Sequence, residues 1–198
     1  MINGFYEELE PISLLMDDEA GGFLQAKHLI ESGHRDIAGF FKTDDRQGVK
    51  RMKGYVKAHR QYGVPIDPER VITYQTEEKE TKPAEALARM LSEKELSPTG
   101  LVCYNDQLAL SLLDTVREKG LQVPRDISVV GYDDSFLAQA SEVKLTTIKH
   151  PKNRLGQDAA EMIVKLMNCH SKRQREECAL QSVVYEPELI VRHSTKVI

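Results

Sequence analysis

"GLVCYNDQLALSLLDTVREKGLQVPRDISVVGYDD", residues 100–134, decides the fold. A short apolar block, Gly100 to Tyr104, turns at Asn105 and Asp106, one of which is placed as an N-cap. Leu108, Leu112 and Val116 then recur at helical spacing up to Gly120, and a second β-branched block begins at Ile127. Strand, helix, strand with so long a connection makes the two strands parallel. The second block ends at Gly131-Tyr132 and two adjacent carboxylates, Asp133 and Asp134.

The same unit repeats outward from this stretch. "ISLLM" (12–16) precedes "DEAGGFLQAKHLIESG", with Phe23, Ala26, Leu29 and Ile30 on one helical face. "IAGFF" (37–41) precedes "QGVKRMKGYVKAHRQYG", where Val49, Met52, Val56 and His59 form the expected inward side. "VITYQ" (71–75) precedes "KPAEALARMLSEK", with Pro83 suited to a first helical turn. After "ISVVGY" (127–132) the regular pattern breaks. "VKLTTIKHP" reads as an extended crossing segment. "KNRLGQDAAEMIVKLM" reads as a helix with Leu155, Ala159, Met162, Ile163 and Leu166 inward, and "ALQSVVYEPELIVRHS" as two strands bent at Pro187. The expected fold class is α/β, parallel sheet flanked by helices. The polar run "HSKRQREE" (170–177) reads as a solvated loop.

Composition excludes several classes. With 198 residues, 40% hydrophobic and 29% charged, the chain is ordinary globular protein. It contains no apolar run of the roughly 18 residues that a membrane span needs, and its first residues lack a signal peptide's basic start. A soluble, cytoplasmic protein is expected. Cys103, Cys169 and Cys178 form no CxxC pair, which suits a reducing compartment and structural roles. A net charge of -4 argues against this surface holding a polyanion.

Enzymatic signatures are missing as well: there is no GxGxxG, Walker loop, GxSxG or HExxH. Gly21-Gly22 lies inside a predicted helix and reads as packing. His28 and His34 are six apart and do not stack on one helical face, so no metal pair is expected. What recurs is polar residues at the carboxyl ends of strands, where open α/β sheets bind ligands. Lys42, Thr43, Asp44 and Arg51 follow the second strand, Asn105 and Asp106 the fourth, Asp133 and Asp134 the fifth. Carboxylates, an amide and a guanidinium suit a neutral polyol, whose hydroxyls both donate and accept. Asn105 or Asp133 taken singly reads equally well as a cap. A catalytic or Mg²⁺-binding pair at Asp133 and Asp134 is the enzymatic alternative; it is disfavoured because adjacent strand residues point to opposite faces. Asp134 is instead expected to cap the turn beginning at Ser135.

"AKHLIESGHRDIAGFF", "RMKGYVKA", the stretch at 100–134 and "LTTIKHP" resemble, in order and spacing, the effector domains of lactose-repressor-type (LacI/GalR) regulators. "FKTDDRQGVKRMKG", "EVKLTTIKHPKNRLG" and "YEPELIVR" are similar to the arabinose-operon repressors of Gram-positive bacteria, which join a GntR-type winged helix to such a domain. The resemblance implies a two-lobed, type I periplasmic-binding-protein-like fold that is not an enzyme and needs no cofactor. It implies a sugar effector, L-arabinose, a homodimer, and operator DNA bound through an N-terminal domain absent from this chain. It assigns residues 18–148 plus 187–198 to the C-terminal lobe and 1–17 plus 149–186 to a remnant of the N-terminal lobe, three β/α units of which would precede Met1. Residue by residue, Arg51 matches the arginine that clamps sugar hydroxyls, Asn105 the sugar-binding asparagine and Asp133 the sugar-binding aspartate. His150 falls where relatives carry a glutamine, and Asn3 where many carry an aspartate. The stacking aromatic of several relatives is replaced by Thr76 and Glu77, leaving Tyr74 as the nearest ring. A periplasmic sugar-binding protein for transport shares the fold and is the alternative reading.

Overall fold

The computed structural model describes residues 1–2, 11–93, 97–168 and 181–198. The chain divides into two compact units. The larger comprises Asp18–Lys149 and Pro187–Ile198, the smaller Met1–Asp17 and His150–Glu186. The run 170–177, Cys169, Cys178 and Asn3 fall outside the described residues.

The larger unit is a doubly wound sheet. Its strands are β2 (Ile37–Lys42), β3 (Val71–Tyr74), β4 (Gly100–Cys103), β5 (Ser128–Asp133), β6 (Thr146–Lys149) and β8 (Glu188–Ile190), in the order β3-β2-β4-β5-β6-β8. The first five are parallel; β8 runs antiparallel to β6, with Thr147 opposite Ile190. Successive residues within a strand serve opposite cores, because side chains alternate across a sheet. Ala38, Phe40, Leu101, Cys103 and Val129 face one cluster with Leu87, Met90 and Leu112, from α3 (Lys82–Ser92) and α4 (Asp106–Glu118). Ile37, Phe41, Val102 and Val130 face the other with Ala26, Leu29, Tyr55 and Ala58, from α1 (Asp18–Glu31) and α2 (Arg46–Tyr62). Both faces are covered, which is why these strands read as continuous apolar blocks.

Glycines let α1 and α2 approach closely. A Cβ at Gly54 would strike the carbonyl of Glu19, and one at Gly22 the carbonyl of Arg51. Consequently the most buried side of α2 is Gly48, Arg51, Gly54, Tyr55, Ala58 and His59. The expected inward Val49, Met52 and Val56 flank it, half-buried. Gly21 and Gly22 are packing residues. His28 bonds Thr195 through Nε2, and His34, in the turn after α1, is buried between Thr99 and the Lys196 carbonyl. The segment after β8 lies against β5 and β6: the Val129 amide donates to the Ser194 carbonyl at 2.7 Å, and the Thr146 amide to the Ser194 hydroxyl at 2.8 Å.

In the smaller unit β1 (Leu14–Met16) pairs in parallel with β7 (Val183–Tyr185), and α6 (Lys152–Asn168) packs Leu155 and Ala159 against Leu14, Met16 and Tyr185. Met162 is partly buried. Ile163 is 55% exposed and Leu166 36%, which corrects their assignment inward. Among the described residues of this unit, two three-residue strands offer too short a surface to cover so wide an apolar stripe. No helix among the described residues is long and apolar enough to cross a membrane.

Candidate functional site

Strand order reverses between β2 and β4, the topological switch point at whose carboxyl end such sheets bind ligands. Arg51, one turn into α2, sits there. It is 2% exposed. Its Nε donates to Asp18 Oδ1 at 2.9 Å, Nη1 donates to the Tyr104 carbonyl at 2.7 Å, and the guanidinium lies 3.5 Å from the ring centroid of Tyr132. Burial opposes its charge, yet the net effect is a raised pKa, because Tyr132, Asp18 and Asp133 hold the cation. The fork is therefore fixed by α1, β4 and β5 together, with Asp133 the next carboxylate it senses. Tyr132 can lie flat there because Gly21 has no side chain; a Cβ would overlap the phenol.

Asn105 follows Tyr104 directly. It is the N-cap of α4, its Oδ1 accepting from the Leu108 amide at 2.9 Å. That bond leaves the amide nitrogen as the group able to donate elsewhere. Asn105 also lines a pocket of about 230 Å³, of mixed polar and apolar lining, with Lys42, Tyr74, Thr76, Tyr104 and Ser111. Lys42 pairs with Asp45 at 3.2 Å and Asp44 at 3.6 Å, and Asp44 accepts from the Thr76 hydroxyl at 2.6 Å. Tyr74 does not offer a stacking face: it is buried, edge-on to Tyr104.

Asp133 ends β5 with φ +107 and Asp134 follows with φ +44, a conformation that side-chain-bearing residues adopt at a cost. The two carboxylates do different things. Asp134 accepts from Arg192 Nη2 at 2.6 Å, which commits its Oδ1 to an ion pair with the segment after β8. It does not cap α5 (Phe136–Ala140) as expected: Ser135 is that N-cap, and the Ser135 amide is taken by Asp106 at 2.7 Å. Asp106, which the sequence places among the site residues, is 1% exposed and turned inward. Asp18 and Tyr132 had no sequence signal beyond an acidic residue after β1 and the tyrosine before Asp133.

Arg51, Asn105 and Asp133 thus belong to one unit, at the carboxyl ends of neighbouring strands. His150 belongs to the smaller unit, immediately after β6. No group of three or more His, Cys, Asp or Glu among the described residues could hold a metal ion.

A doubly wound sheet with this crevice is the architecture of the periplasmic binding protein-like domain, and the chain belongs to that family, whose profile matches residues 26–195. Among proteins, it is 55% identical over 195 residues to the arabinose metabolism transcriptional repressor of Halalkalibacterium halodurans, covering 98% of this chain and 52% of that one. It is 52% identical over 197 residues to the repressor of the same name from Geobacillus stearothermophilus, covering 99% and 53%. The chain spans about half the length of the curated relatives it matches. Among solved structures, a LacI-family regulator from Enterococcus faecium with bound ribose superposes with a TM-score of 0.81 at 26% identity, covering 100% of this chain and 70% of that one.

Proposed function

We propose that this chain is the sugar-sensing effector domain of a bacterial transcriptional repressor, acting in the cytoplasm, with L-arabinose as its effector. The observation that carries the reading is the fixed Arg51 fork beside Asp133 and Asn105 at the switch point. Arg51 and the Asn105 amide donate to sugar hydroxyl oxygens, Asp133 accepts from a hydroxyl, and among the described residues no group is poised to change the sugar covalently. The names of the two relatives at 55% and 52% identity support arabinose and repression. Sugar acts by linkage: it shifts the equilibrium between two conformations of a homodimer only by its differential affinity for them, and operator affinity changes with that equilibrium. DNA contact falls to a region of the longer repressor other than this acidic domain.

The test is isothermal titration of L-arabinose into the gene product carrying this domain, wild type and Asp133→Ala. A charge-assisted hydrogen bond is worth about 1.5–3 kcal/mol, and about 1.4 kcal/mol is tenfold, so affinity should fall roughly ten- to hundred-fold. Unchanged affinity would remove Asp133 from the site; binding of ribose or galactose in place of arabinose would reassign the effector.

A further inference from the structure

Asp106 is a buried carboxylate that the proposed site does not use. It occupies the first position of α4 and divides its oxygens between two other elements. Oδ2 accepts from the Ser135 amide at 2.7 Å; Oδ1 accepts from the Thr147 hydroxyl on β6 at 2.6 Å. The Thr147 oxygen in turn accepts from the Asp134 amide at 3.4 Å. Oδ1 also lies directly over the β5 backbone: a Cβ at Gly131 would overlap it, so the glycine of "GYDD" is required by Asp106. Capping does not account for this carboxylate. Asn105 caps α4, and the Ser135 hydroxyl caps α5 by accepting from the Ala138 amide at 3.2 Å. Burial pushes the Asp106 carboxyl up and the bonds from Ser135 and Thr147 pull it back, with Asp134 adding like charge. A group this costly to bury is retained for what it holds.

What it holds is the turn containing Asp133 and Asp134. Both have positive φ; Thr147 accepts from the amide of Asp134 itself, and Asp106 from the amide of the next residue, Ser135. Such strained backbone persists where its surroundings over-determine it. We propose that Asp106 is the positioning residue of the crevice: through Ser135 and Thr147 it locks the left-handed Asp133–Asp134 turn and so aims Asp133, without touching the ligand. The inference rests on Asp133 being the hydroxyl acceptor of the sugar. When the lock is lost the turn relaxes among several conformers, and apparent affinity falls by the fraction that remains competent.

Two measurements on the gene product test it, with Asp106→Asn and the milder Thr147→Val. The first needs no ligand. Amide hydrogen exchange at Ser135 should speed up tenfold or more in Asp106→Asn, while Leu108, held by Asn105, keeps its protection; unchanged exchange at Ser135 in both variants overturns the proposal. The second is arabinose titration of wild type, Asp106→Asn, Asp133→Ala and the double variant. Asp106→Asn should weaken binding tenfold or more in the wild-type background and less than about twofold when Asp133 is already alanine, since coupled residues fail to add. Equal losses in both backgrounds overturn the proposal, because a general loss of structure would act with or without Asp133. Wild-type protein that bound no arabinose would count against the sugar reading alone, and exchange at Ser135 then decides the role of Asp106 by itself.

Discussion

Replacing Asp18 by alanine takes away the one carboxylate bonded to Arg51 Nε and leaves the guanidinium where it is, 2% exposed. Breaking a buried ion pair from one side costs about 3–5 kcal/mol, because the remaining charge is neither solvated nor paired. Arg51 keeps its bond to the Tyr104 carbonyl and its stack on Tyr132, which puts the loss near the lower end, about 3 kcal/mol. At roughly 2–4 °C per kcal/mol for a chain of this size, the melting temperature should drop by about 6–12 °C. The double variant Asp18→Ala/Arg51→Met removes both charges and restores apolar packing, so it should be more stable than the sum of the single losses by about 2 kcal/mol or more. Urea denaturation followed by circular dichroism gives all four stabilities. A loss below about 1 kcal/mol for Asp18→Ala, or simple additivity in the cycle, would show that the pair does not anchor Arg51 and that the fork is set elsewhere.

Gly54→Ala should cost about 1–3 kcal/mol by driving α1 from α2, whereas Gly156→Ala on α6, where a Cβ meets nothing within 4 Å, should gain up to about 1 kcal/mol; paired denaturation curves check both. His28, His34 and His59 have pKa values lowered by burial. Their neutral forms are favoured in the fold, so the stability they contribute is present above the ordinary value near 6.5 and is lost as pH falls below it. Melting temperature measured from pH 8 to pH 5 should decline on the acid side, and less steeply in His28→Gln. Cys103 is fully buried and its thiol is pushed up by burial, so peptide mass mapping after iodoacetamide should find it unlabelled in the native protein and labelled in urea.

Local pattern carried far. Each β/α unit, Pro83 in a first turn and the Asn105 cap follow from neighbours within a few residues, and these are what periodicity encodes. The site was legible as residue types at strand ends. Its partners were not, because each lies far along the chain: Asp18 is 33 residues from Arg51, Asp134 is 58 from Arg192, and Thr147 is 41 from Asp106. The sequence likewise concealed that the most buried side of α2 holds an arginine and two glycines, with Met52 and Val56 packed beside them. That choice depends on how near α1 comes, a distance set by tertiary packing. On α6 the pattern overstated burial, since a stripe of Ile163 and Leu166 says only that a helix has an apolar side, not how much surface exists to receive it.

The larger unit is discontinuous: β8 and the residues after it reach the sheet only after the chain has passed through the smaller unit. On a ribosome, everything from β2 to β6 is made first, and β6 then waits for its antiparallel neighbour. At about 5–20 residues per second, the roughly forty residues from Lys149 to the end of β8 at Ile190 take on the order of 2–8 s. Throughout that interval the unpaired edge of β6, with Ile148 and its two threonines, is a template for any strand nearby. Translation speed and chaperone occupancy over this short window therefore bear on how the nascent chain reaches the native sheet.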